Sequence, residues 1–599
     1  MKTKIFFYTI ILLLCTGVVS SCDLTESPKA SAGVSLIFGS ETGLKAYCYS
    51  FYGILPGGSS AHHQDDDIAD YIAKASLGLY EQGALTSDSQ GSWDWTDIRN
   101  VNYFLEHNNY PEVPQDVRDN YNGIARFFRA WLYYSKLTTY GEVPWIGRLL
   151  NPGDAELTAP RASRDVIITH MIEDCDFAYE HIKLETSRTS EACLVNKWCA
   201  LLLKSRICLF EASWRKYHAG TAYVAGCSIT PEELFAQAAE AAEMVMKSGA
   251  FTLHTGTEYE GGRGSYRDLF SSDKVPTDEV MLGVQMDASL SSPGYANYFY
   301  NVQATSKNSL TRPFVNTYLN RDGSFYSETD NQGKYKFFPD ETAGRDLRLN
   351  QTIRAYDYTC KNSRGEMVRM APDFTYTLTG YQVIKFTVDD VACNNYGANS
   401  NDIPVMRYAE VLLNFAEAKA ELGTLTDDDW KNSIGQLRRR AGITGGDLDA
   451  KPTQVDPYIK STYFPDITNP VILEIRRERT CELCLEGFRK NDLKRWACGR
   501  IWPNTLWTGV FIPQLEVPLD INDDGVNDVM FTQVQNTCDD PNVVVVSPAD
   551  PIRFLSVPGG KFLQDALGGR FWNDKMYLEP ISSVDITMNP NLLPNNPGY

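Results

Sequence analysis

The chain has 599 residues, of which 43% are hydrophobic and 12% aromatic, so it can bury a large core and is not a disordered protein. Its formal net charge of −20 repels phosphate backbones and anionic headgroups. This charge argues against nucleic acid as a partner and against membrane contact through a basic face. Length alone predicts roughly three or four domains.

The first residues predict an export signal that ends at a cysteine. Met1–Lys4 carries two lysines, and Ile5–Val19 is almost continuously apolar before two serines and Cys22. The apolar run is shorter than the about 20 residues of a comfortable bilayer span. The sequence VSSC resembles the bacterial lipoprotein box, which implies a signal peptide over residues 1–21, lipidation of Cys22 and a polar tether over residues 22–33. The alternative is a cut nearby, with Cys22 as an ordinary thiol.

Helical periodicity dominates the rest of the chain. Five segments combine an apolar stripe at helical spacing with start or stop signals: Tyr121–Tyr140, Pro231–Ser248, Met406–Leu422, Thr426–Gly442 and Asn469–Glu486. Short loops between successive helices predict stacked helical pairs, although no clean repeat of about 34 residues is present. Three β-rich runs predict small strand pairs: Val280–Met286, Tyr381–Phe386 and Asn542–Ser547.

The helix that begins near Asn469 carries two further patterns. Cys481 and Cys484 form a C-x-x-C with no second pair at zinc spacing, which favours packing thiols over a redox or zinc site. The same helix is dense in arginine and glutamate. Because residues three or four apart are neighbours on a helix, Arg476, Arg479, Glu482 and Glu486 are expected to form structural ion pairs along one face and with acids such as Glu410 or Glu417 of a neighbouring helix.

Several motifs occur in a fixed order along the chain. They are ARFFRAWLYYSKLTTYGEVPWI (125–146), PRASRDVIITHMIEDCDFAYEHI (160–182), RDLRL (345–349), PVMRYAEVLLNFAEAKAELG (404–423), LRRRAGI (437–443), EIRRERTCELCLEGFRKNDLKRW (474–496) and the closing YLEPISSVDITMNPNLLPNNPGY (577–599). Behind a lipoprotein box, this order resembles the SusD/RagB outer-membrane lipoproteins of Bacteroidota. One departure is the sequence LPN at 593–595, where the family usually has two residues.

The resemblance implies a mostly α fold, in which four tetratricopeptide-like helix pairs form an α-α superhelix and long loops with small β elements carry the ligand site. It implies a SusD-like domain over residues 34–599, with an N-terminal part of about 34–270 and a C-terminal RagB/SusD part of about 271–599. It also implies a lipid-anchored, surface-exposed lid on a SusC-like TonB-dependent transporter of the outer membrane. Such a lid binds an oligosaccharide or polysaccharide, or in some members a peptide, without catalysis.

The residues themselves give no support for an enzyme. The seven histidines form no HExxH helix, and neither a G-x-S-x-G elbow nor a phosphate-binding glycine loop is present. A glycoside hydrolase needs only two carboxylates, a requirement that any chain with 76 acidic residues meets. A secreted glycoside hydrolase or lyase therefore stays as an alternative to a binding protein.

Sugar binding requires flat rings that stack on pyranose faces and short polar side chains for the hydroxyl groups. Two loop regions have this composition, and they are also the regions from which relatives of this family take ligand residues. The candidate residues are Asp67, Trp93, Trp95, Tyr295, Tyr298 and Tyr300. Trp95 also shares a helical face with Ile98, which makes it a core candidate, and Asp65–Asp67 is alternatively a solvated turn.

The sequence DINDDGVND at 520–528 predicts a calcium loop. Oxygen side chains occupy positions one, three, five and nine, glycine occupies position six, and position seven offers a main-chain carbonyl. The predicted ligands are Asp520, Asn522, Asp524, Val526 and Asp528. Position twelve is Phe531 instead of the usual glutamate, and an Asx-rich turn is the alternative. A bound Ca²⁺ is expected to order the surrounding insertion.

Overall fold

The computed structural model describes residues 33–57, 68–184, 194–287, 289, 293–305, 307–534, 537–547, 552–565 and 567–599. The predicted lipidation site Cys22 and the predicted ligand residue Asp67 lie outside these ranges.

Helices are the main elements, and four of the described helices have more than fifteen residues. The α-helices are Val34–Phe38, Glu41–Tyr49, Thr96–His107, Gln115–Tyr140, Arg164–His181, Lys197–Tyr217, Pro231–Ser248, Ser265–Ser271, Ala296–Asn301, Arg312–Val315, Phe338–Thr342, Leu347–Asn350, Tyr408–Glu421, Asp427–Lys431, Ile434–Arg440, Pro457–Thr462, Pro470–Glu482, Arg489–Arg495, Ile501–Asn504 and Ser583–Met588. The 3₁₀ turns are Ser50–Ile54, Ala155–Thr158, Ala222–Val224, Val391–Asn394, Asp574–Tyr577 and Pro590–Leu592. None of the helices in the described ranges combines the length and the apolar character needed to cross a membrane.

The strands are short and form small separate sheets. They are β1 (Ile72–Ala73), β2 (Val280–Val284), β3 (Ser309–Leu310), β4 (Thr359–Lys361), β5 (Met367–Arg369), β6 (Ile403–Arg407), β7 (Thr508–Ile512), β8 (Pro518–Leu519), β9 (Val529–Phe531), β10 (Val544–Val546), β11 (Ile552–Val557) and β12 (Gly560–Asp565). The described sheets are β1-β3, β2-β6, β4-β5, β11-β12-β7 and β10-β9-β8, and β9-β10 is the parallel pair among them.

The long helices pack in neighbouring pairs around one large core. Gln115–Tyr140 packs on Arg164–His181, and Lys197–Tyr217 packs on Pro231–Ser248. Tyr408–Glu421 lies against both Pro231–Ser248 and Pro470–Glu482. The mostly α scaffold of helical pairs that the sequence predicts is therefore confirmed, and a C-terminal helix completes the core of the N-terminal helices.

Helix ends agree with the sequence where local caps decide them. Pro231–Ser248 has the predicted bounds because Thr230 and Glu233 form a capping box and Gly249 ends the helix in the left-handed region with φ of +63°. The predicted helix Thr426–Gly442 is instead two helices, Asp427–Lys431 and Ile434–Arg440.

Two of the three predicted strand runs are confirmed. Val280–Val284 and Val544–Val546 are strands, whereas Tyr381–Phe386 forms only isolated bridges through Gln382 and Val383. The bridge partners, Ser309 and Ile353, come from two different segments, so no continuous ladder forms.

The thiols and the arginine-rich helix are structural. All cysteines that the structure describes are free, and Cys481 and Cys484 are buried, as the sequence favours. Burial raises the pKa of Cys481 to about 12, so its thiol is inert. The predicted ion-pair partners were wrong, because Arg479 pairs with Asp492, whereas Glu482 and Glu486 pair with arginines outside this helix. Glu410 pairs with Arg206, and Glu417 pairs with Arg495.

Candidate ligand-binding site

Three tyrosines from two distant segments form one cluster of rings at the surface. Tyr295 precedes the helix Ala296–Asn301, Tyr298 lies one turn further on, and Tyr396 comes from a loop. The ring centroids of Tyr295 and Tyr396 are 4.6 Å apart, and those of Tyr298 and Tyr396 are 5.3 Å apart. Tyr396 is 72% exposed, and the other two are half-buried. We call these three residues the tyrosine platform.

Main-chain and amide contacts fix the two segments to each other. The Gly294 N–H donates to the Asn399 carbonyl at 2.9 Å, and Asn297 donates from Nδ2 to Asn394 Oδ1 at 3.2 Å. Gly397 has φ of +69°, a conformation that favours glycine, and this residue turns the loop directly after Tyr396. Because these hydrogen bonds hold both segments, the rings have a defined arrangement before any ligand arrives.

The structure places Tyr300, one of the predicted ligand residues, in the interior instead of at the platform. Tyr300 is only 3% exposed and belongs to a hydrophobic core cluster, where its ring meets that of Phe299 edge to face. Tyr298 and Tyr300 are two residues apart on one helix, and such residues point in different directions. Tyr298 therefore faces the platform, while Tyr300 faces the interior.

The sequence patterns do not identify Tyr396 as a candidate ligand residue. Its segment, NNYGANS at 394–400, is rich in amides and contains one aromatic residue, but it lies about a hundred residues from Tyr295 in the chain. The available signal was composition alone: an aromatic residue between Asn and Gly in a long loop. Only the folded chain shows that this ring joins the other two.

Trp93 and Trp95 line a second depression, a cleft of 410 Å³. The Trp93 N–H donates to Asp585 Oδ2 at 3.1 Å, and the Trp93 ring meets those of Trp95 and Tyr140 edge to face, each at 5.5 Å. Both tryptophans are partly buried and pack against the large core. The cleft is also lined by Ser92, Ile98, Arg99, Asn102, Pro144, Ile146, Arg148, Leu150, Glu156, Leu157, Ala159, Met588, Asn589 and Leu592.

A lysine covers one tryptophan face. Lys136 Nζ lies 4.5 Å from the centroid of the Trp95 ring and donates to the Asp94 carbonyl at 2.6 Å. Burial lowers the pKa of Lys136 to about 8, and the carboxylates of Asp94 and Asp585 oppose that shift. Since the cation occupies the ring face, Trp95 offers less stacking surface to a sugar than the platform does.

A groove of 870 Å³ also contains aromatic side chains, but its rings already have partners. The guanidinium of Arg476 lies 4.5 Å from the Trp496 ring and 4.9 Å from the Phe464 ring, and Arg312 lies 4.3 Å from the Phe562 ring. These contacts stabilise buried arginines instead of leaving open faces.

The structure does not bring the two predicted groups of aromatic residues into one site. No residue of the tyrosine platform lines the tryptophan cleft. Over the described ranges, no group of three or more His, Cys, Asp or Glu side chains is placed to hold a metal ion. Among the described residues, Tyr396 of the tyrosine platform is the most exposed aromatic side chain.

Comparisons with known proteins agree with this architecture. The model of the SusD family matches residues 278–599. A SusD-like protein from Bacteroides fragilis has 20% sequence identity and a TM-score of 0.66, with 95% of this chain and 99% of that chain covered. A SusD-like carbohydrate binding protein from the same species has 18% identity and a TM-score of 0.65, with 93% and 99% covered.

A surface glycan-binding protein from Bacteroides fluxus has 15% identity and a TM-score of 0.54, with 94% of this chain and 100% of that chain covered. At these identities the solved structures show the fold, and the family match extends over more than half of the sequence. No curated protein sequence matches the chain. The chain belongs to the SusD family.

Proposed function

We propose that this protein binds an oligosaccharide or polysaccharide at the cell surface and does not change it chemically. The observation that carries the proposal is the tyrosine platform, whose exposed Tyr396 ring is supported by Tyr295 and Tyr298. Flat rings stack on the apolar faces of pyranoses, and neighbouring amides bind hydroxyl groups. The exposed Asn395 side chain lies next to Tyr396 in the chain. Its Nδ2 donates to the Ala392 carbonyl at 3.2 Å, and its Oδ1 can accept from a hydroxyl group.

The sequence and the family together support a cellular role. Cleavage of a signal peptide over residues 1–21 and lipidation of Cys22 would anchor the protein to the outer membrane, exposed at the surface. The resemblance to SusD/RagB proteins supports a role as the lid of a SusC-like TonB-dependent transporter, which imports the captured ligand. Two structural relatives are described by their names as carbohydrate or glycan binding, which favours a glycan as that ligand.

Two alternatives make different predictions. A RagB-like lid would use the same scaffold to bind a peptide, which the platform does not exclude because tyrosine rings also bind peptides. A secreted glycoside hydrolase would release products. A panel of glycans and peptides, followed by chromatography of each mixture, separates these alternatives from the proposed function.

The Tyr396→Ala variant tests the proposed site directly. We expect the affinity for the best oligosaccharide of the panel, measured by isothermal titration calorimetry, to fall at least about fivefold, which corresponds to about 1 kcal/mol of lost ring contact. Tyr49→Ala is the matched control because Tyr49 is also exposed, at 47%, and lies outside the platform. This control should bind like the unchanged protein.

Three outcomes would contradict the proposal. Equal affinity of Tyr396→Ala and the unchanged protein would remove the platform from the site. Binding of peptides but of no glycan would favour the RagB-like alternative. Formation of shorter saccharides by the purified protein would show that it is an enzyme.

A further inference from the structure

The loop between strands β8 and β9 wraps around one carboxylate. Leu519 and Val529 pair at the base of the loop, so its two ends are fixed. Asp520 Oδ1 accepts from the Asp524 N–H at 3.2 Å, and Asp520 Oδ2 accepts from the Gly525 N–H at 2.7 Å. Gly525 has φ of +88°, which lets the chain turn sharply at this point. The loop is therefore folded around position one of the predicted calcium motif.

A buried amide in this loop lacks a partner. Asn522 is only 1% exposed, and its Nδ2 donates to Asp524 Oδ2 at 3.1 Å, so the amide group lies beside one of the loop carboxylates. Its Oδ1 atom is buried and has no hydrogen-bond partner. A buried acceptor without a partner costs about 1–3 kcal/mol, and such atoms usually indicate an ion or water that completes the site.

The three carboxylates of this loop have no ion-pair partner among the described residues. Asp520, Asp524 and Asp528 form no ion pair with any Lys, Arg or His side chain of the described residues. Arg369 reaches the loop, but its Nη1 donates to the main-chain oxygen of Asp523 at 3.0 Å. Carboxylate, amide and carbonyl oxygens together are the ligand types that a hard cation requires.

We propose that this loop binds Ca²⁺. The proposed ligands are the carboxylates of Asp520, Asp524 and Asp528, the Oδ1 atom of Asn522 and the main-chain carbonyl of Val526. The three carboxylates are not already grouped as a metal site in the described residues, so binding of Ca²⁺ must draw them together around the Asn522 amide oxygen and the Val526 carbonyl.

The missing ligand at position twelve sets the expected affinity. Phe531 occupies that position, and its side chain is buried in the core instead of supplying two oxygens. A loop with fewer charged ligands belongs to the weak class of extracellular calcium modules, with a Kd of about 10⁻⁴ to 10⁻³ M. The ion would tie β8 to β9, and through β9 to β10, so its role is structural and independent of the tyrosine platform.

Calcium titration of the chelator-treated, folded protein tests the proposal. We expect isothermal titration calorimetry with CaCl₂ to show one site, and about 5 mM CaCl₂ to raise the midpoint of thermal unfolding by about 1–2 °C. Magnesium at the same concentration should give less than a third of that shift, because Mg²⁺ requires a more rigid octahedral site.

Two variants of the same loop identify the ligands. Asp524→Asn, at position five, should weaken Ca²⁺ binding at least tenfold, whereas Asp523→Asn removes an adjacent charge at position four and should change it less than threefold. Asp523 has φ of +55°, a conformation that asparagine tolerates, so the control should fold normally. Circular dichroism of both variants confirms that they are folded.

The proposal is overturned if the unchanged protein shows no calcium heat and no calcium-dependent shift. An equal response to Mg²⁺ would show non-specific charge screening. Equal weakening by the two variants would show that Asp524 is not a ligand.

Discussion

Glu482 lies fully buried among three arginines. Its Oε2 atom lies 3.0 Å from Arg348 Nη1, its Oε1 atom lies 2.5 Å from Arg407 Nη1, and Arg440 also donates to Oε1. Burial alone would raise the pKa of Glu482, but the guanidinium groups of Arg440, Arg407 and Arg348 outweigh it and hold the pKa well below its usual range. The carboxylate is thus charged at every physiological pH and compensates cations that come from three separate segments.

Removing this charge should destabilise the fold strongly. We expect Glu482→Gln to lower the free energy of unfolding by about 3–5 kcal/mol, because three buried guanidinium groups lose a shared counter-charge. Urea denaturation followed by circular dichroism measures the change. Glu366→Gln is the control, since the Glu366–Arg364 pair is exposed and should contribute less than about 1 kcal/mol. A loss below 1 kcal/mol for Glu482→Gln would mean that the arginines find other partners.

Among the helices, the sequence predicts those ends that are fixed by local capping residues. Caps place the ends of Pro231–Ser248, but the helix predicted from Thr426 to Gly442 breaks near Ser433 because of a tertiary contact. The Trp430 indole N–H donates to the Asp447 carbonyl at 2.9 Å, and a Cβ at Gly435 would lie 2.2 Å from the Leu448 carbonyl oxygen. A distant loop therefore lies against this segment, and periodicity cannot show that.

The closing motif, residues 577–599, is likewise held in place by contacts with distant segments. Asn596 is 1% exposed and donates from Nδ2 to the carbonyls of Tyr140 and Glu579, at 2.8 and 2.6 Å, while its Oδ1 accepts from Arg161. The motif was predicted only as part of a family pattern. Its physical role is to attach the C-terminal segment to the end of the helix Gln115–Tyr140.

The junction between Lys197–Tyr217 and Arg489–Arg495 should depend on pH. His218 Nε2 donates to the Lys494 carbonyl at 2.8 Å, and the ring stacks on Trp214 with centroids 4.1 Å apart. Burial lowers the pKa of His218 to about 4. The hydrogen bond to the Lys494 carbonyl and the negative charge of Asp574 oppose that shift. The positive charges of Arg164 and Lys494 add to it. The unfolded chain, with a histidine pKa of about 6.5, therefore binds this proton first as the pH falls.

Stability should consequently fall as the pH decreases from about 6.5 to about 4, by up to roughly 3 kcal/mol from this residue. Urea denaturation at several pH values measures the slope for the unchanged protein and for His218→Gln, whose amide keeps a donor for the carbonyl. We expect a flatter pH dependence for the variant. Parallel curves would show that other groups cause the acid sensitivity.

At the scale of the whole molecule, one hydrophobic core belongs to the helical scaffold and another lies beside the tyrosine platform. The large core joins the N-terminal helices to residues such as Met281 and Leu412, so it crosses the expected boundary near residue 270. The tyrosine platform lies beside the second core, which contains Ala296 and Tyr300. The sequence predicted Tyr295 and Tyr298, but Tyr396 joins them only through folding, because contacts between distant segments have no local sequence signal.

The last prediction concerns attachment to the membrane. If the proposed lipidation is right, Cys22→Ala should move the protein out of the outer-membrane fraction while its oligosaccharide affinity stays unchanged, because acyl chains supply the attachment and the net charge of −20 opposes it. Density-gradient fractionation measures the location, and mass spectrometry of the N-terminal peptide of the unchanged protein should show an acylated Cys22. Cys538→Ala is the matched control, since it removes a thiol far from the signal and should stay in the outer membrane. Uncleaved precursor would sediment with the inner membrane and is thereby distinguished from released protein. Outer-membrane location of Cys22→Ala would show that another feature anchors the chain.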